Sequence, residues 1–318
     1  MTIARTFRNA FTLVELLIVI VIIGLLVAIL LPALKGARES ARAVAEMAMG
    51  QQLAVAYHAY ANDNKTHILP GLLRQEEVDL GEAQDPLQPA KRGLVAVFDD
   101  KNRQITNYST ASRYPWRIAP YVNNYDWRGM YMNRERLSEF LAKPEDPATE
   151  DMSSRHFALS SSPTFGINDM SESVLAACDG NVASACRTTA VRRTDQIDFP
   201  SRVIIFASGR TADASAGPTI GGGSTVTKKV DGSYLVRPPR FVNMRNYYDQ
   251  ESVAWDPTRN ADWFGDLDLR HNKHAITVMF DGSVSRMTLI PGTRDQLRDM
   301  QHWRNEANCP DWTGILEN

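Results

Sequence analysis

Residues 10–34 read AFTLVELLIVIVIIGLLVAILLPAL, and this stretch decides how the 318-residue chain is organised. Between Phe11 and Leu31 only Thr12, Glu15 and Gly24 interrupt the apolar run. As a helix it would span about 31 Å, the thickness of a bilayer core. A secretory signal peptide has a shorter apolar core followed by a small-residue cleavage site. Here the run is longer, and the small residue, Ala10, stands before it. Charge does not settle orientation, because Arg5 and Arg8 on one side face Lys35, Arg38 and Arg42 on the other.

Glu15 is the residue that a simple anchor leaves unexplained. A carboxylate in hydrocarbon costs about 2–3 kcal/mol unless it is paired or lies near the interface. A cut between Ala10 and Phe11 would create an α-amino cation four residues from Glu15. In a helical stack of such chains, the amine of one subunit can neutralise the glutamate of its neighbour. The pair then fixes axial register, as buried polar groups do in coiled coils. The competing reading has Glu15 snorkelling at the interface of a plain anchor.

The stretch resembles the class III signal of type IV prepilins and type II secretion pseudopilins. It has the Phe-Thr-Leu-Val-Glu opening and a proline, Pro32, twenty-one residues after Phe11. The resemblance implies a prepilin peptidase that cuts between Ala10 and Phe11 and N-methylates Phe11. Glu15 becomes the assembly glutamate. Ala10 departs from the family's usual glycine, which implies slower processing. A single-pass protein of the bacterial inner membrane follows, with a periplasmic C-terminal domain. After assembly it would lie in a periplasmic or extracellular filament.

Beyond Pro32 the helical pattern resumes, with Met49, Leu53, Ala56 and Tyr60 on one face. Pro32 removes a backbone hydrogen bond and should kink or loosen the helix there. Asn62, Asp63 and Asn64 end it. His58 reads as a packing residue. Residues 74–93 are polar and proline-punctuated, hence a surface loop. RERLSEFL, residues 134–141, reads as a short helix. Residues 216–224, AGPTIGGGS, lack the Gly-Lys-Ser/Thr of a phosphate cradle and read as a loop.

Strand signals gather towards the C-terminus. SRVIIFAS, residues 201–208, is a β-branched run. STVTKKVDGSYLVRP pairs two runs across Asp231-Gly232, and HAITVMFDGSVSRMTLI repeats the device across Asp281-Gly282. The expected fold is therefore α+β: a pilin-like lollipop with one long helix packed on an antiparallel sheet. Its parts are a leader over 1–10, a transmembrane helix over 11–31, an amphipathic continuation over 32–64 and a globular domain over 65–318.

Nine residues separate His271 from Asp281-Gly282, which resembles the H-x9-DG segment of a large prepilin-like family. YPWRIAPYV, PTFGIN and FPSRVIIFA resemble further landmarks of that family. It often has a cysteine in the long helix and another before a downstream proline, where this chain has Glu46 and Lys143. Cys178 and Cys186 bracket turn residues, so a local disulfide is geometrically easy and would contribute about 2–3 kcal/mol. Two reduced loop cysteines are the alternative, and Cys309 is the odd one out.

Catalytic and metal signals are thin. His271, His274 and Asp281 have a ligand-like spacing without an accompanying cysteine or HExxH. The default is a type I′ turn at Asp281-Gly282, with His271 capping or packing against that hairpin. Asp256, Asp262, Asp266 and Asp268 offer oxygen ligands for calcium, which major pseudopilins are known to hold in a C-terminal loop. The EF-hand order is absent, and a solvated loop is the default. No cofactor is expected beyond such a calcium. No nucleophile–base or paired-carboxylate pattern points to an enzyme, and a net charge of −2 gives no argument for nucleic acid.

The expected function is that of a structural subunit of a type II secretion pseudopilus or type IV pilus-like filament. Its expected partners are the prepilin peptidase, other pilin-like subunits, the inner membrane and the assembly machinery. A soluble part of about 250 residues is large for a bulk subunit and favours a minor or tip role. The competing function is a membrane-anchored binding module for polysaccharide or calcium that never polymerises. Trp255 and Trp263 beside the aspartates would give it a sugar platform.

Overall fold

The computed structural model describes residues 13–71, 96–148, 153–168, 193–211, 230–236 and 264–288. The loop expected over 74–93, the glycine-rich stretch 216–224, all three cysteines, Asp256, Asp262, Trp255 and Trp263 lie outside the described residues. So do Ala10 and Phe11. The chain divides into two compact units, Met1–Ala45 and Glu46–Asn318.

Helix α1 covers Leu13–Asp63 and runs through Pro32 as one element. In the first unit its apolar side chains are exposed, from Leu13 at 82% to Leu34 at 65%. By length and composition this part of α1 suffices to cross a membrane. So continuous an apolar surface calls for lipid or other helices around it.

The second unit begins inside α1. The expected stripe is buried: Met49, Leu53, Ala56 and Tyr60, joined by Ala54 and Tyr57. Val55, on the opposite side, is 71% exposed. Among the described residues four short α-helices follow: α2 (Tyr108–Ala111), α3 (Pro115–Ile118), α4 (Arg134–Leu141) and α5 (Arg155–Ser161). The helix expected over 134–141 is α4, whose first turn is capped by the Asn133 side chain accepting the Arg136 N–H.

The described residues also hold seven strands: β1 (Phe165–Asn168), β2 (Ile204–Ser208), β3 (Arg210–Thr211), β4 (Val230–Asp231), β5 (Leu235–Val236), β6 (His274–Met279) and β7 (Val284–Thr288). Five form a sheet in the order β5-β1-β2-β6-β7, and β3 and β4 form a second, two-stranded one. The class is α+β, a long N-terminal helix with a C-terminal sheet. The sheet itself is mixed, since β5 runs parallel to β1 while the other pairs are antiparallel.

Both faces of the central strands are covered. Val203, Ile205, Phe206, Ile276 and Val278 belong to the cluster that includes α1, whereas Ile204, Ala207, Ala275 and Met279 belong to a second cluster with Phe264 and Leu267. A strand buried on both faces reads as a continuous apolar run, which is why VIIFA shows no alternation. A register shift between Ile204 and Phe206 sets Ile205 and Phe206 in one cluster.

Two turn expectations are revised. Asp231-Gly232 does not close a hairpin, because β4 pairs with β3 and β5 pairs with β1. A Cβ on Gly232 would collide with the Ser162 carbonyl oxygen, so this glycine serves a close backbone approach. The β6–β7 hairpin does form, but not through a type I′ turn at Asp281-Gly282. Its loop is Phe280-Asp281-Gly282, with Gly282 N–H donating to Met279 O and Met279 N–H to Ser283 O. Gly282 has φ +85°, the pattern of a type I turn followed by a left-handed glycine. The type I′ geometry sits nine residues earlier, at Asn272 and Lys273, with φ of 51° and 65°.

Candidate functional site

The first candidate is the N-terminal stretch. The scissile bond between Ala10 and Phe11 lies outside the described residues. Glu15 stands in the first turn of α1, where a carboxylate complements the positive end of the helix dipole. Pro32 lies within the helix.

The second candidate joins α1 to the segment from His271 to Gly282. Glu46 sits in α1 with 1% of its surface exposed. Its Oε2 accepts from His271 Nε2 at 2.7 Å, and its Oε1 accepts from the Ser208 hydroxyl at 2.5 Å. Arg270 Nη1 lies 3.9 Å from the same carboxylate, and Arg270 Nε lies 3.0 Å from Asp268 Oδ2. Burial pushes the Glu46 pKa up, but Arg270, His271 and Ser208 together outweigh it, and the carboxyl is held below its ordinary value. An ionised carboxylate only accepts, so His271 carries its proton on Nε2 in this bond.

The local structure explains why these groups meet. The type I′ turn at Asn272-Lys273 pairs His271 with His274 by reciprocal backbone bonds of 3.2 and 3.1 Å. Behind it, residues 264–271 run beside the end of β2: Asp268 N–H donates to Ser208 O, and Arg270 Nη2 to Gly209 O. Ser208 is held in turn, its Oγ accepting the Ile276 N–H at 2.9 Å. His274 turns elsewhere, its Nδ1 lying 2.8 Å from Asn272 O.

At the far end of β6, His58 on α1 places Nε2 2.7 Å from Phe280 O. A carbonyl only accepts, so His58 donates there. Its ring also meets Phe280 edge to face at 5.0 Å. Asp281 Oδ1 accepts from the Ser283 N–H at 2.9 Å and the Ser283 hydroxyl at 2.6 Å, bracing the turn. Midway, Gly50 brings α1 against the sheet, and a Cβ there would stand 2.8 Å from Val278 Cγ2.

The three internal landmarks converge on the same core. Tyr114 donates its hydroxyl proton to Phe165 O at 2.6 Å and meets Phe206 at 5.4 Å between ring centroids. Phe206 in turn meets Tyr57 of α1 edge to face.

Of the calcium candidates, Asp266 and Asp268 are described. Both are buried, and Asp268 is engaged by Arg270. Among the described residues no group of three or more histidine, cysteine or acidic side chains could hold a metal ion. Sequence reasoning picks out His271 but gives it the hairpin as partner. Glu46 is legible as an acid at i−3 to Met49 on an apolar stripe; Ser208 and Arg270 carry no such signal.

The prokaryotic N-terminal methylation motif matches residues 5–31. No curated protein and no solved structure matches the chain. The chain thus carries a prepilin-type methylation signal over residues 5–31, and the described part of that stretch lies in an apolar helix long enough to cross a membrane.

Proposed function

We propose that the chain is a structural pilin-like subunit. It is inserted once in the bacterial inner membrane with its C-terminal domain in the periplasm, then cut between Ala10 and Phe11 and methylated on Phe11. It is finally drawn into a type II secretion pseudopilus or a type IV pilus-like filament. The observation that carries this reading is the methylation motif over residues 5–31. Its residues 13–31 lie on an exposed apolar helix that continues into a folded α+β unit. A lone anchor needs the apolar length but not the Phe-Thr-Leu-Val-Glu opening; assembly uses both.

The role requires no catalysis by this chain. Apolar faces of neighbouring α1 helices associate, and Glu15 accepts the amine of Phe11 from the adjacent subunit. That pairing removes the cost of a carboxylate in hydrocarbon and fixes the axial step. The test is the mass of the N-terminal peptide from protein purified out of native membranes. An N-methylated Phe11 is expected, and an intact Met1 or Thr2 overturns the proposal.

A further inference from the structure

We propose that the segment from His271 to Gly282 is a two-ended clamp on α1, whose nine-residue spacing is set by the length of helix it grips. One end is the His271–Glu46 pair, and the other is the Phe280–His58 bond beside the Asp281-Gly282 turn. The lengths agree. From Glu46 to His58, α1 rises about 18 Å. From His274, which pairs with His271, to Phe280, an extended strand covers about 20 Å.

Each part of the segment has a task in that span. Asn272-Lys273 reverses the chain and sets His271 beside Glu46. Strand β6 supplies the length and, through Val278, the contact with Gly50. Asp281 and Gly282 close the turn that presents the Phe280 carbonyl to His58, and a Cβ on Gly282 would lie 3.9 Å from Ala54 Cβ. A strand one residue longer or shorter would invert the faces of its side chains and lose one end.

The two ends differ in chemistry. The His271 end is a buried ionic cluster, in which an ionised acid meets a histidine, a serine and, at longer range, an arginine. The His58 end is a single hydrogen bond to a backbone carbonyl with a ring contact. Glu46 is also the first residue of the second unit. Tension applied along α1 from its N-terminal side therefore reaches the ionic end first. The segment acts as two locks in series on one helix, a role independent of whether the chain assembles.

The test is amide hydrogen exchange on the full chain in membrane mimetic, resolved by peptide. Glu46→Gln and His271→Gln, which preserve shape, should each raise exchange over residues 46–53 by about tenfold while leaving 54–63 near the parent rate. The double variant should loosen 46–53 by less than the two single effects combined, because both substitutions remove the same Glu46–His271 bond. His58→Phe keeps a ring and removes the donor; it should raise exchange over 54–63 and 280–283 and spare 46–53. Equal loosening of both ends by either class of variant overturns the two-ended clamp. So does parent-like exchange in a folded Glu46→Gln protein.

Discussion

Asp99 and His156, 57 positions apart in the chain, meet in the core with Oδ2 and Nε2 3.0 Å apart. Asp99 closes its own loop as well, taking the N–H groups of Lys101 and Arg103 on Oδ1 and the Arg103 Nε–H on Oδ2. His156 lies flat on Trp116 with ring centroids 5.0 Å apart, and its carbonyl accepts the Trp116 indole N–H. Glu145 binds the rim of this arrangement, accepting from Lys101, Arg103 and Arg155.

The pair makes the domain acid-sensitive. Burial holds the His156 pKa below its ordinary 6.5, although Asp99 pulls the other way. Burial works to raise Asp99, but its four donors hold it below 3.8. Both groups therefore bind protons less readily folded than unfolded. Their contribution is complete above 6.5 and is lost in two stages on acidification, first through the His156 range and then through that of Asp99. Glu46, also held low, adds to the second stage. Denaturant melts of the full chain should show stability level above neutrality and falling below it. His156→Gln should flatten the upper stage selectively; an unchanged slope between neutral and mildly acidic pH in that variant would refute the assignment.

How much of this is legible in the sequence depends on the range of the interaction. The apolar run to Leu31, the stripe of Met49, Leu53, Ala56 and Tyr60, and the helix over 134–141 are set by neighbours three or four residues apart, and all are readable. Strand existence is readable too, from VIIFA and HAITVM. Strand partnership is not. Asp231-Gly232 has the local chemistry of a hairpin, yet β4 and β5 enter different sheets because their partners lie more than 15 residues away. Glu46 shows the same limit. Its composition signal is an acid on an apolar face, but its meaning comes from His271 and Ser208, 225 and 162 positions distant.

Gly50 should resist substitution despite its place inside a helix. Alanine ordinarily gains about 0.5–1 kcal/mol over glycine in such a position. Here the added methyl would stand 2.8 Å from Val278 Cγ2 and 3.3 Å from Phe165 Cζ. Overpacking of that kind costs about 1–3 kcal/mol, so the sign reverses and Gly50→Ala is expected to destabilise the domain. Gly36 is the control, since a methyl added there would meet nothing within 4 Å. Thermal melts should fall for Gly50→Ala and hold for Gly36→Ala. Equal behaviour of the two would mean that α1 does not approach β6 closely at Gly50.

Under the proposed function, Glu15 should separate anchoring from assembly. Replacing it with alanine removes a costly carboxylate from the apolar run, so membrane insertion of Glu15→Ala should equal or exceed that of the parent. Folding of the second unit, which begins at Glu46, should be untouched. Filament incorporation is where the loss is expected, because the neighbouring Phe11 amine would face no acid and the axial step would lose its charge pair. Glu15→Gln tests whether charge rather than hydrogen bonding matters, and it should fail like alanine. The measurement is the ratio of filament-borne to membrane-borne protein at matched expression, with N-terminal mass confirming that cleavage still occurs. Normal incorporation of both variants, once cut, would leave the carboxylate without the role assigned to it here.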